Sequence, residues 1–299
     1  IELRTIKVDN AVSVGEVSNT DPFTLPVNLD VFNPPTGDVV TISNPIDTNS
    51  CPPIGVVCDD NDPTTIYDEE DGNCNCIGFN QDIVNLDTHP IGASSDDAEE
   101  FVSTGAVSYT STDLELVQDT DTGTNDQIIG LRFNNINIPK SSTILRAYIQ
   151  FKTDELNSGT TNLVFHGELA DDSATFTSAS SNISSRTLTS NSVPWDDVKE
   201  WDSNGESGLD QRSPYLNILV NEIISQPGWL VGNAITFIVS GSGKRVAESR
   251  NGDINGAPTL KVFYDSNCPI TAITPSTQTI CNDSNDTYSQ DLIVEYVDP

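Results

Sequence analysis

The feature that most constrains this chain is a pair of segments in which apolar and polar residues alternate around a proline-containing turn. The segments lie within Gly130–Lys152, and their apolar positions are Leu131, Phe133, Ile136 and Ile138 before the turn and Ile144, Ala147, Ile149 and Phe151 after it. A period of two places one face of each segment in a core and the other in water. The pattern therefore predicts two half-buried strands, and similar runs from about Glu99 to Tyr264 predict the remainder of one β-sandwich.

Seven segments of this central region have the composition of strands, and a single helix interrupts them. The predicted strands are Phe101–Tyr109, Leu114–Val117, Ile128–Phe133, Leu145–Thr153, Asn162–Leu169, Ala234–Ser240 and Thr259–Tyr264. For the helix, Ser213 suits the N-cap, Pro214 suits the first helical position, and Gln226-Pro227-Gly228 ends the segment. One short helix among many strands predicts an all-β jelly-roll sandwich with the helix plugging one end.

Charge is distributed unevenly along the 299 residues, whose formal net charge is −32. Between Val8 and Leu131 there are 24 acidic residues and no Lys or Arg, whereas Leu131–Lys261 holds 14 acidic and 11 basic residues. The balance argues against nucleic acid and anionic membranes as partners, because both attract basic patches. The sequence has no apolar run of about 18 residues, so we expect no direct membrane insertion. It favours divalent cations as partners, or simple solvation of an acidic surface.

The composition divides the chain into five parts. Residues 1–48 are β-rich and predict the end of an immunoglobulin-like module, 49–80 form a Cys/Asp-rich loop, 81–97 a linker, 98–265 the jelly roll, and 266–299 the start of another immunoglobulin-like module. The two terminal parts together approach the length of one such module. We therefore expect the chain to be one period of a tandem array, cut inside a sandwich.

The loop CDDNDPTTIYDEEDGNCNC, residues 58–76, has the spacing of an EF-hand-like Ca²⁺ loop. Counted from Asp60 as position 1, the predicted ligands occupy positions 1, 3, 5, 7, 9 and 12. They are Asp60, Asp62, Thr64, Ile66 (through its carbonyl), Asp68 and Asp71. Two features depart from an EF-hand, since Thr65 replaces the usual Gly and Asp71 the usual Glu. The alternative is an acidic loop held by disulfides without a metal, and zinc is disfavoured by the CxC spacing.

Two further groups of residues are candidate sites. A Gly-rich loop contains Glu248, Asn251, Asp253 and Asn255, which could bind a second Ca²⁺ or form only a solvated turn or polar clamp. Trp195 and Trp201 are possible glycan contacts, because an aromatic ring suits the C–H face of a sugar, although packing in the core or at its edge is the competing interpretation.

Cysteine usage predicts an oxidising compartment and three disulfides. Four cysteines are clustered (Cys51, Cys58, Cys74 and Cys76), and two lie farther along (Cys268 and Cys281). We expect Cys268 to pair with Cys281. Among the three possible pairings of the cluster, we favour Cys58–Cys74 with Cys51–Cys76. The sequence contains neither a Gly-x-Ser-x-Gly nor a His-Glu-x-x-His motif, and we expect no enzymatic activity.

Several segments in order resemble a jelly-roll module of large secreted bacterial proteins. They are LRFNNINIP, ILRAYIQF, ISSRTLT, VPW…W, SPYL…VNEIISQPGW, GNAITFIVSGSGKRVAES and APTLKVFY, within about 98–265. Residues 58–76 separately resemble a repeat, CDDGDPxTxxDxYDxxCxC, that links modules in the same kind of protein, with Asn61 where Gly is usual. The resemblance implies a non-catalytic extracellular module, found either in surface adhesins and filaments or beside polysaccharide-degrading enzymes.

Together these features predict a structural or adhesive segment of a large, multi-module cell-surface protein, stabilised by Ca²⁺ and disulfides. Its partners would be neighbouring modules of the same protein and surface polysaccharide. The alternative is the carbohydrate-binding region of a secreted polysaccharide-degrading enzyme.

Overall fold

Strands dominate the computed structural model, which describes residues 51–119 and 126–266 together with the backbone of two later strands. In chain order the strands are β1 (Thr65–Glu70), β2 (Cys76–Asn80), β3 (Val84–Pro90), β4 (Asp97–Phe101), β5 (Val107–Ser108), β6 (Asp113–Glu115), β7 (Gln127–Phe133), β8 (Thr143–Gln150), β9 (Thr153–Glu155), β10 (Asn162–Gly167), β11 (Val193–Trp195), β12 (Ile235–Ser242), β13 (Val246–Glu248), β14 (Thr259–Asp265), β15 (Ile270–Pro275) and β16 (Leu292–Tyr296). One α-helix, α1, spans Asn217–Ile224. The predicted all-β sandwich with one short helix is confirmed.

Antiparallel pairing arranges these strands into sheets. The largest has the order β11-β10-β12-β7-β4-β5, and two three-stranded sheets have the orders β3-β14-β8 and β6-β13-β9. Alternate residues of the large sheet and of β8 and β14 meet in one buried cluster, which includes Leu131, Phe133, Ile149, Phe151 and Phe237. These are the positions that the period-two pattern assigns to a core, because successive side chains of a strand point to opposite faces.

The outer face of the large sheet is covered by the segment between β10 and β11. Phe176 and Ile183 of this segment are buried against Ala98 and Ile238. A Cβ at Gly130 would come within 2.3 Å of the Phe176 ring, so only glycine lets the ring lie this close to β7.

The helix begins later than the sequence predicted. Its N-cap is Leu216, and Ser213 instead pairs with the neighbouring strand. The Ser213 N–H donates to the Ile149 carbonyl at 2.9 Å, while Ser213 Oγ accepts from the Ile149 N–H at 2.9 Å. Ser213 is thus still extended, and the helix ends at Ile224, before Gln226-Pro227-Gly228 as expected.

The segment 81–97, predicted as a linker, contains a strand of the sandwich. β3 pairs with β14 along its whole length, from Val84 opposite Asp265 to Pro90 opposite Thr259. Ile91, which follows it, is buried in the core. The prediction was wrong because the segment has few apolar residues, a composition that an edge strand tolerates.

Residues 52–80 contain a β-hairpin, and the segment before the hairpin hydrogen-bonds to its first strand, with the Gly55 N–H donating to the Glu70 carbonyl at 2.9 Å. β1 and β2 pair antiparallel with a bulge between Ile66 and Glu69, and Tyr67 adopts a positive φ of 60° within it. Disulfides join Cys58 to Cys76 and Cys51 to Cys74, so the pairing that we favoured is wrong. Cys58 lies beside β1, where its N–H donates to the Asp68 carbonyl at 3.1 Å, and Cys76 begins β2 opposite Glu70. The pairing therefore follows from how both segments align with β1, and not from their spacing in the chain.

The structure describes few residues of the two terminal parts in which immunoglobulin-like modules were predicted. The chain divides into the units Ile1–Cys51 and Pro52–Pro299, and the β module predicted at 1–48 lies outside the described residues. Within 266–299, β15 and β16 pair antiparallel. Cys268 and Cys281 lie outside the described residues.

Candidate functional site

The hairpin is fixed to the sandwich by a buried cluster of charged and aromatic side chains around Arg146. Arg146 projects from β8, and its Nη1 lies 3.1 Å from Glu69 Oε2 on β1. The guanidinium carbon lies 4.5 Å from the centre of the Phe79 ring and 5.5 Å from that of Phe263. Cation–π contacts of this kind strengthen when water is excluded. Arg146 is therefore enclosed by groups from both the hairpin and the sandwich.

Glu69 also accepts two further hydrogen bonds from the sandwich. Arg212 Nη1 donates to Glu69 Oε1 at 3.1 Å, and the Tyr215 hydroxyl donates to Glu69 Oε2 at 3.1 Å. Burial, with a contribution from the Glu69 charge, raises the pKa of Tyr215 to about 12. A buried carboxylate is tolerated where several donors compensate its lost hydration. No local motif marks this role, because Glu69 stands among several acidic residues in the sequence.

Three carboxylates come together beside the hairpin. Asp59, Asp60 and Asp68 each present an oxygen within 4.8 Å of the others. Asp60 Oδ1 accepts from the Asp62 N–H at 2.8 Å and from Thr65 Oγ1 at 2.9 Å. Asp68 Oδ1 is enclosed and accepts no hydrogen bond from the described residues. Three neighbouring carboxylates supply the oxygen ligands that a hard divalent cation such as Ca²⁺ prefers.

This cluster contains only two of the six ligands that the EF-hand spacing predicted. Asp60 and Asp68 belong to it, and Asp59 was missed, although its place beside Asp60 was a signal. Hydrogen bonds from Thr64 lower the pKa of Asp62, and those from Asn75 and Asn73 lower the pKa of Asp71. Neither of these two carboxylates belongs to the cluster. Thr64 immediately precedes β1 and Ile66 lies within it, so the chain extends where an EF-hand loop would curl.

The second predicted calcium loop is held by a lysine. Lys152 Nζ lies 2.7 Å from Asp253 Oδ2 and 4.0 Å from Glu248 Oε1. Asn251 instead hydrogen-bonds Ser94, and the Asn255 N–H donates to Asp253 Oδ1 at 3.0 Å. The ammonium group supplies the positive charge that a cation would otherwise provide, which agrees with the polar-clamp interpretation.

A second acidic region lies between β4 and the small sheet, and sequence analysis did not single it out. Asp113, Asp154 and Glu155 present oxygens within 4.8 Å of one another. Nearby, burial and the adjacent Glu115 carboxylate raise the pKa of Glu99. The Glu99 side chain accepts a hydrogen bond from the Glu115 N–H at 3.0 Å. Strand pairing between distant segments brings these acids together, so no local motif marks them.

The three tryptophans differ in their surroundings. Trp201 is 0 % exposed and its Nε1 donates to the Asp210 carbonyl at 3.1 Å, which rules out the predicted glycan contact. Trp229 is also buried, and its Nε1 donates to the Ile138 carbonyl. Trp195 is half-buried on the edge strand β11 and lines a groove of about 270 Å³. The groove is bounded by Ile54, Gly55, Trp195, Leu209, Arg212, Ser213, Pro214 and Tyr215.

Comparisons with known proteins do not place this chain in a family. The chain matches no protein-family model, and no curated protein is similar to it in sequence. Among the described residues, no helix is both long and apolar enough to cross a membrane.

Proposed function

We propose that this chain is a non-catalytic structural or adhesive segment of a large, multi-module secreted surface protein, an adhesin or extracellular filament. The observation that carries the proposal is the attachment of the disulfide-linked hairpin to the sandwich through the buried Glu69–Arg146 pair. A connector fixed in this way holds the direction in which the chain enters the sandwich. That property suits a protein that must transmit position or load along an array of modules.

The proposed location outside the cell is supported by the chemistry of the connector. Two disulfides lie within 26 residues, between Cys51 and Cys76, and disulfides persist mainly in oxidising compartments. The charge of −32 disfavours nucleic acid and anionic lipid as partners and is compatible with a calcium-rich exterior.

Calcium is part of the proposal as a ligand of Asp59, Asp60 and Asp68. These carboxylates repel one another at short range, where salt at physiological strength screens little. A bound cation would offset the repulsion, and extracellular sites need only weak affinity, with dissociation constants on the order of 10⁻⁴–10⁻³ M. Its role would be to stiffen the connector between modules.

Labelling of intact cells tests the location. An antibody raised against this chain should label non-permeabilised cells that produce the parent protein, and protease added outside should remove the signal. Labelling that requires permeabilisation would exclude a surface protein.

Single-molecule force spectroscopy tests the structural role. The chain, held between reference domains, should unfold its hairpin and sandwich in one event. A Glu69→Ala variant should release the hairpin in a separate event at lower force, because Arg146 loses its buried partner. Independent release of the hairpin in the unmodified chain would contradict the role of a fixed connector.

The groove beside Trp195 supports an alternative function. In that alternative the chain is the carbohydrate-binding region of a polysaccharide-degrading enzyme. Co-sedimentation with insoluble polysaccharides distinguishes the two. Retention on an isolated polysaccharide with no retention on cells of its own kind would favour the enzyme, and retention on those cells would favour the adhesin, whether or not it also binds polysaccharide.

A further inference from the structure

Trp195 is the tryptophan whose indole is left without a polar partner. Trp201 and Trp229 are enclosed, and each donates its N–H to a backbone carbonyl. Trp195 Nε1 donates to none of the described residues. Buried indole N–H groups usually find an acceptor, and tryptophan is enriched at interfaces where one part of its ring is apolar and another meets water.

The indole of Trp195 is nevertheless held firmly. Its ring is stacked on Phe151 at a centroid distance of 6.1 Å and an interplanar angle of 23°, and it contacts Phe165 at 6.2 Å. Both phenylalanines belong to the buried core. A ring fixed by the core loses little conformational freedom when a ligand stacks on it, which favours binding.

The groove beside Trp195 has two walls from different parts of the chain. The sandwich contributes Trp195, Pro214 and Tyr215, and the hairpin segment contributes Ile54 and Gly55. Glycine is needed at position 55 for the two walls to approach each other. A Cβ there would lie 3.0 Å from Arg212 Nη1, and the φ of Gly55 is +89°. Docking of the hairpin thus completes the groove.

The size and polarity of the groove indicate the class of ligand. A volume of about 270 Å³ lies at the lower end of small-molecule sites, which suits one ring rather than an extended drug-sized molecule. Flat aromatic and aliphatic walls suit the C–H face of a sugar ring, and the Trp195 N–H and Tyr215 hydroxyl oxygen can bond its hydroxyls. Arg212 is already paired with Glu69, and the net charge of −32 repels anionic chains.

We infer that this groove binds one neutral hexopyranose unit of a polysaccharide, stacked on Trp195. The site goes beyond the structural role and is independent of whether the parent protein is an adhesin or an enzyme. Its failure would leave the labelling and force measurements above unaffected.

The ¹H–¹⁵N spectrum of the full chain provides a direct test, since three tryptophans give three indole signals. Cellohexaose, laminarihexaose and mannohexaose serve as neutral probes, and hexagalacturonate as the acidic comparison. Titration with at least one hexose oligomer should move the Trp195 signal, identified by its absence in Trp195→Phe, while the Trp201 and Trp229 signals stay in place. The acidic oligomer should leave all three unchanged.

Two variants make the result decisive. Trp195→Ala should weaken binding of the responding sugar at least about tenfold by calorimetry. If loss of packing on Phe151 unfolds that variant, seen as collapse of the other two indole signals, Ile54→Asp decides, because Ile54 is 54 % exposed on the opposite wall. It should weaken binding similarly.

Three outcomes would overturn the inference. They are no response of Trp195 to any hexose oligomer, a response to hexagalacturonate alone, and a Trp195 signal that moves on concentrating the protein without sugar. The last would assign the groove to a second copy of the chain.

Discussion

The carboxylate of Glu69 lies 3.1 Å from the guanidinium of Arg146, and the two side chains are only 9 % and 6 % exposed. One comes from the acidic hairpin and the other from the sandwich, so the pair joins two parts of the chain that differ greatly in composition. The connector is therefore attached by its own side chains, and calcium, if bound, acts on an already docked hairpin.

Removal of one partner of this pair should be costly. We expect Glu69→Ala to lower the free energy of unfolding by about 3–5 kcal/mol, because Arg146 would keep a buried charge without its carboxylate. Urea denaturation measures the loss, and hydrogen exchange of β1 and β2 should show the hairpin opening first. The matched control is Glu70→Ala on the same strand, whose Oε2 has no hydrogen-bond partner among the described residues. Equal losses in both variants would contradict a specific role for Glu69.

Loss of the Cys58–Cys76 disulfide should destabilise the chain by about 3 kcal/mol, because it constrains a loop of 18 residues in the unfolded state. The variant Cys58→Ser with Cys76→Ser, compared with the parent by urea denaturation, measures this. Peptide mapping without reduction checks the connectivity. A Cys58–Cys74 peptide would contradict the Cys58–Cys76 connectivity.

Calcium binding should depend on Asp68 and not on Asp71. Asp68 contributes to the carboxylate cluster, whereas Asp71 accepts hydrogen bonds from Asn73 and Asn75 at the hairpin turn. In calorimetric titrations we expect Asp68→Asn to weaken Ca²⁺ binding at least about tenfold and Asp71→Asn to change it little. The two variants remove the same charge from the same hairpin, so equal effects would mean that Ca²⁺ responds only to overall charge.

The loop after β13 should be insensitive to calcium. Lys152 Nζ lies 2.7 Å from Asp253 Oδ2, so Asp253→Asn should lower the melting temperature only slightly, as expected of a partly exposed ion pair. The difference in melting temperature between Asp253→Asn and the parent should be the same in EDTA and in saturating Ca²⁺. A lower melting temperature of the variant seen only with Ca²⁺ would support a metal site in this loop.

Stability should depend on pH through Asp97. Burial raises the pKa of Asp97 to about 6 from 3.8, although its Oδ2 accepts from the Arg250 N–H at 2.7 Å. The folded state therefore binds this proton more tightly, and the resulting stabilisation is present below pH 4 and is lost as the pH rises to 6. Two pKa units correspond to about 3 kcal/mol.

Asp97→Asn removes this dependence while keeping an acceptor for the Arg250 N–H. We expect the variant to gain stability over the parent between pH 4.5 and 7.5 in urea denaturation, by up to about 3 kcal/mol. The exposed Glu206→Gln is the control and should follow the parent. A constant difference between Asp97→Asn and the parent across this range would contradict the elevated pKa.

The sequence by itself determined the fold class and the main strands. The alternation in Gly130–Lys152 placed β7 and β8 correctly, because a side chain's face in a strand follows from its position alone. The helix end before Gln226-Pro227-Gly228 was also predictable, since proline and glycine act on the backbone locally. The clustering of cysteines correctly predicted disulfides within 51–76.

Only the tertiary structure decided which distant residues meet. The composition of β3 gave no signal, and its place in the sandwich comes from pairing with β14, far along the chain. The disulfide partners and the carboxylate cluster depend on how the segment before the hairpin and strand β2 each align with β1, which spacing alone does not specify. In the sequence Glu69 cannot be distinguished from the neighbouring acidic residues, and only its contact with Arg146 in the folded chain sets it apart. Periodicity and turn residues act between neighbours in the chain, whereas each of these contacts depends on how separate segments pair in space.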